Sequence, residues 1–106
     1  MTLNELHKLL KKVNIPVVYG DFEDENNKPK PPYMTHRRDT DGAVHADDKV
    51  YAKIPHIILT LYQKKRNLKL EETVENLLTE NNLVYETAED YNYSEKLIET
   101  DYEFYI

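Results

Sequence analysis

Ile54-Pro55-His56-Ile57-Ile58-Leu59-Thr60-Leu61-Tyr62-Gln63 is the stretch from which the fold is read. Ile57, Leu59 and Leu61 alternate with Ile58, Thr60 and Tyr62, the period-two pattern of a strand whose side chains point to opposite faces. Both sets are apolar enough to be covered, so the strand is expected in the middle of a sheet. Pro55 stands near its start, where a missing backbone donor is tolerated.

Lys64, Lys65, Arg66 and Asn67 form a basic connection into a helix. Leu70, Val74, Leu77 and Leu78 fall on one face of that helix, and Glu71 and Glu72 sit in its first turn, where negative charge suits the helix dipole. Asn81 and Asn82 can take the left-handed conformation that ends it. Two strands follow: Leu83–Glu86, and Leu97–Ile106, where Ile98, Thr100, Tyr102, Phe104 and Ile106 alternate with Glu99, Asp101 and Glu103. The second has a core face and an acidic face that reads as solvent-facing. Upstream, Lys49–Lys53 is a short strand, Asp39–Asp48 a polar loop turning at Gly42, and Tyr33–Arg38 a strand weak in apolar residues. Asp21–Pro32 is a second polar loop, and Ile15–Tyr19 a first short strand. The chain begins with a helix. Thr2 and Glu5 have capping-box spacing, and Leu3, Leu6, Leu10 and Val13 make an apolar stripe with Leu9 beside it. Asn14 and Pro16 stop it.

The order helix, strands, helix, strands predicts one α+β domain over residues 1–106, a mixed or antiparallel sheet with both helices on one face. A chain of 106 residues supports one modest core. Tyr102, Tyr19, Tyr51 and Tyr62 are expected in that core, and the tyrosines near the end are candidates for a subunit interface.

Net charge is −6, which argues against nucleic-acid binding and against an anionic membrane surface. No cysteine is present, so disulfides, thiolate metal sites and cysteine nucleophiles are all excluded. That absence is compatible with a reducing cytoplasm. The first apolar residues are spaced within a polar helix, so no secretory leader is expected. No phosphate-cradling glycine loop and no nucleophile elbow occur: Gly20 and Gly42 are the only glycines and Ser94 the only serine.

The four histidines, His7, His36, His45 and His56, lack zinc-motif spacing. His36 and His45 flank a loop carrying Asp39, Asp41, Asp47 and Asp48, which leaves a small metal-dependent enzyme as one alternative; the ordinary reading is solvated loop residues. Asp39, Asp41 and Gly42 echo the start of a calcium loop, but its later ligands do not follow. No metal, cofactor or catalytic residue is therefore assigned.

As a set, several segments carry a resemblance: Ile15-Pro16-Val17-Val18-Tyr19; Pro31-Pro32-Tyr33; Ala46-Asp47-Asp48-Lys49-Val50-Tyr51; Leu59-Thr60-Leu61-Tyr62; Ser94-Glu95-Lys96-Leu97; and Tyr102-Glu103-Phe104. The layout resembles a group of small proteins of long-tailed phages and prophages of low-GC Gram-positive bacteria. It is similar to tail terminator or tail completion proteins, whose α+β fold assembles into a hexameric ring between tail tube and head. Tyr33-Met34-Thr35-His36 is more polar than that pattern expects.

The resemblance implies a non-enzymatic virion protein acting at the head–tail junction, made in the bacterial host cytoplasm. Its partners would be its own copies and neighbouring tail-tube or head-connector proteins; a head-closure or neck protein has similar size. An acidic cytoplasmic regulator is the remaining alternative. The contact residues expected are Tyr33, His36, Arg37, Arg38, Lys64, Lys65 and Arg66 on the basic side, and Glu99, Asp101 and Glu103 on the acidic strand of a neighbour. Such a heterologous contact closes into a ring when the rotation allows.

Overall fold

The computed structural model describes residues 1–22, 28–39, 42–46 and 49–106, with backbone alone for 42–46 and 49–53. Helix α1, Leu3–Leu10, opens as its capping box requires: the Glu5 amide donates to Thr2 Oγ1 at 3.1 Å. A 3-10 turn over Lys11–Val13 carries it to Asn14, which stops it at φ 67. Helix α2, Leu68–Glu80, is capped by Asn67, whose side chain accepts from the Leu70 amide; Asn82, at φ 59, turns the chain after it. Leu6, Leu9 and Leu10 of α1 and Val74 and Leu78 of α2 are buried, and Leu70 and Leu77 pack beside them.

Seven strands are described: β1 Val17–Tyr19, β2 Tyr33–Arg38, β3 Gly42–Ala46, β4 Lys49–Ile54, β5 His56–Gln63, β6 Tyr85–Asn92 and β7 Leu97–Tyr105. Five form one sheet in the order β1-β2-β5-β7-β6. β1 runs parallel to β2 and every other pairing is antiparallel, so the sheet is mixed, with β5 central. The register puts Met34, His36, Ile57, Leu59, Leu61, Thr100, Tyr102 and Phe104 on one face, under both helices. The domain is α+β with its core between that face and the helix pair.

β3 and β4 make a separate two-stranded sheet that continues the β2–β5 pairing outward. The β2–β5 ladder reaches Arg38↔Ile57, and the Asp39 amide still donates to the His56 carbonyl at 2.8 Å. Pairing resumes at Gly42↔Ile54. Pro55, which has no N–H, stands at the break; its carbonyl accepts from the Ile106 amide instead.

Several expectations are corrected. The 39–48 loop contains strand β3, and Gly42 begins that strand instead of making the turn. The 83–86 strand is eight residues long and starts at Tyr85. Its Glu, Asp and Asn hide it from hydrophobic pattern reading because, as an edge strand, it is exposed on both faces. Polar Tyr33–His36 is buried throughout, since β2 lies inside the sheet and is covered on both sides. Tyr19 is 50% exposed at the far edge, not core, and Tyr62 is half-buried; the Tyr51 side chain lies outside the described residues.

A candidate interaction surface

Among the described residues, no helix lies on the second face of the five-stranded sheet. Its side chains fall in three cross-strand rows fixed by register. Tyr33, Tyr62, Glu99 and Asp90 form the first; Thr35, Thr60, Asp101 and Ala88 the second; Arg37, Ile58, Glu103 and Glu86 the third. Each row runs from aromatic, hydroxyl or basic groups on β2 to carboxylates or a small residue on β6.

At the β2 end the chain closes over its own sheet. Tyr33 stacks on Tyr62 with ring centroids 4.7 Å apart, and Phe22 meets Tyr33 edge-on at 5.3 Å. Lys28 Nζ lies 5.5 Å from the Tyr33 ring centroid and pairs with Glu95 at 3.1 Å. Tyr33 is thereby only 1% exposed. Beside it is an open cleft of about 350 Å³ lined by Lys28, Lys30, Tyr33, Lys64, Glu95 and Leu97.

At the β6 end the face is acidic. Glu86 stands directly opposite Glu103, and Asp90 directly opposite Glu99. Like charges opposed across strands destabilise a sheet. Glu99, Asp101 and Glu103 are half-buried, not open to solvent as the alternation suggested, while Glu86 and Asp90 are exposed. Burial pushes the Glu99 carboxyl above the usual carboxylate range; a bond from Asn92 opposes this, and Asp101, Asp90 and Glu95 add to the rise. Asp101 has a neutral partner as well, the Thr60 hydroxyl, which donates at 2.7 Å. The outer edge of β6 is unpaired in the sheet.

The expected contact residues divide. Arg37, Arg38, Lys64 and Lys65 are exposed. Arg37 lies 3.8 Å from Asp39. Arg66 is committed within its own chain, to Glu71 at 3.6 Å and to Glu89 on β6, so it is not held out for a neighbour's acidic face. Tyr33 is buried as described. His36 is 0% exposed, under α1, and cannot touch a partner in this conformation. The solvated reading of His36 fails for the same reason. Its burial follows from the sheet register, which places it beside Leu59 in the core layer.

No family model matches the chain, and a search of curated proteins finds no match.

The histidines do not converge. His56 Nδ1 lies 3.7 Å from Asp39, and its ring stacks on Tyr105 at 4.8 Å. Asp41, Asp47, Asp48 and the His45 side chain lie outside the described residues. Among the described residues no three His, Cys, Asp or Glu side chains group as metal ligands. His7 Nδ1 and His36 Nε2 are 2.9 Å apart. Their ring centroids are 5.2 Å apart, close to that distance plus two ring radii, so the nitrogens face head-on. This is hydrogen-bond geometry; an ion could enter between them only if a ring turned. Among the described residues, no helix is long and apolar enough to cross a membrane.

Proposed function

We propose that the chain is a structural protein of a long-tailed phage or prophage, acting by subunit assembly at the head–tail junction as a ring-forming tail terminator or completion protein. The observation that carries this reading is the helix-free sheet face with its opposed carboxylates, Glu86 with Glu103 and Asp90 with Glu99. A face arranged this way gives up stability in the isolated chain. A basic surface laid on it relieves the repulsion, and the β2–β5 pairing extended by β3 and β4 supplies a second reach toward a neighbour. The sequence resemblance is what supports a phage particle and a place near its head–tail junction.

The exposed Lys64 and Lys65 are suited to meet the acidic rows of another copy, while Arg66 braces the connection they sit on by holding α2 and β6 together. Such contacts steer and orient more than they bind, and salt weakens them. Light scattering of the purified protein across dilution and salt tests the reading. A closed oligomer that dissociates with added salt is expected, either alone or after mixing with a tail-tube or connector protein. A monomer under every condition, partner included, rejects it.

A further inference from the structure

The histidine pair between α1 and β2 has a proton balance of its own, independent of the assembly reading. His36 is completely buried, and its second nitrogen, Nδ1, has no hydrogen-bond partner among the described residues. If His7 donated in the Nδ1···Nε2 bond, neutral His36 would carry its proton on Nδ1, as a buried N–H with no acceptor. Orphaned buried N–H groups are rare and costly. His36 Nε2–H therefore donates to His7 Nδ1, and His36 Nδ1 keeps a bare lone pair.

This arrangement leaves no comfortable place for another proton. With one proton added and the bond kept, three protons sit on four nitrogens, and one of them is on His36 Nδ1. A second added proton sets N–H against N–H and ends the bond. The groups facing His36 give no relief. From α1 they are Asn4 and His7; from β1, Tyr19, edge-on at 5.3 Å; from β5, uncharged Leu59. Arg38 stands on the same face of β2, two residues along. No carboxylate among the described residues stabilises a His36 cation.

We infer that the α1–β2 seam is a proton-controlled joint: the His7–His36 bond holds α1 on the sheet while both rings are neutral, and acid opens α1 as a unit, baring Leu6, Leu9, Leu10 and the sheet beneath. Burial, and then His7, lower the His36 pKa from 6.5 to about 4. Proton linkage with that shift raises the opening equilibrium about a hundred-fold between about pH 7 and about pH 4.

Hydrogen exchange on the full chain, corrected for intrinsic rates, tests this. The α1 amides should open about a hundred-fold more often at the lower pH, and more often than β5 amides at every pH; His36→Leu should flatten the pH response of α1. Equal opening of α1 and β5 across the range, or an unchanged slope in His36→Leu, overturns the proposal. Should His36→Leu fail to fold, imidazole nitrogen shifts of the wild-type chain decide. They should show His36 neutral with its proton on Nε2 from about pH 7 down to about pH 5, because its titration in the closed chain lies near pH 4. A His36 that is charged above about pH 5 while α1 stays protected, or neutral below about pH 5 in molecules whose α1 has opened, overturns it equally.

Discussion

The Tyr102 hydroxyl, on β7, donates to the Glu75 carboxylate, on α2, at 3.0 Å, and this bond ties the second helix to the sheet from inside the core. Tyr85 approaches the same carboxylate at 3.5 Å and meets the Tyr102 ring edge-on. Burial first, and then Glu75, push the Tyr102 pKa up, so the hydroxyl stays a donor. Tyr102→Phe keeps the ring and removes the donor. Hydrogen bonds to charged groups contribute about 1.5–3 kcal/mol, and Tyr85 can take over part of the role. A loss of about 1–2 kcal/mol in denaturant unfolding is expected, larger than for Tyr85→Phe.

His36 makes global stability depend on pH with a definite sign. Its folded pKa, about 4, lies below the unfolded value of 6.5, so the unfolded chain binds more protons at intermediate pH. The contribution is intact above about pH 6.5 and is lost as pH falls toward about 4. The shift corresponds to about 3 kcal/mol over that window. Urea midpoints of wild type and His36→Leu, compared across the window, should diverge as pH falls, with the variant losing less.

Core position and surface exposure separate two further substitutions. Leu59 is fully buried at the centre of the sheet, between His36 and Tyr102 in register. Leu59→Ala is expected to cost about 2–5 kcal/mol, enough to unfold much of a small domain. Tyr93, 83% exposed, touches Tyr91 edge-on, and Tyr93→Ala should change stability by no more than about 0.5 kcal/mol. Thermal unfolding distinguishes the two outcomes.

Much of this architecture was legible in the sequence because apolar periodicity and cap chemistry agreed. Leu6 and Leu10, Val74 and Leu78, and the Ile57–Leu61 alternation all face the core as their spacing predicts. Thr2, Asn14 and Asn82 punctuate the chain as their side chains allow. Pattern reading failed where burial and polarity part company. Tyr33–His36 is polar yet buried, because the 21–22 and 28–32 segments cover one side of β2 and α1 covers the other. Tyr85–Asn92 pairs through backbone bonds while its side chains stay wet, so no periodicity marks it. The alternation of β7 made an acidic row visible at Glu99, Asp101 and Glu103. The carboxylates opposite them became apparent only with the β6–β7 register.

That register yields the prediction that separates folding from assembly. Glu103 is half-buried and stands opposite Glu86 and next to Ile58 in its row. Glu103→Lys replaces a like-charge pair with an opposite-charge pair, and cross-strand pairs of this kind differ by about 0.2–1 kcal/mol. The isolated domain should therefore become slightly more stable. If the acidic rows receive a basic surface of another subunit, the same lysine confronts a like charge there, and oligomer should be lost from light scattering at low salt. A stabilised monomer that no longer assembles marks the face as kept for a partner. A stabilised chain that assembles as before moves the contact elsewhere on the molecule, with the unpaired edge of β6 as the remaining surface on that side.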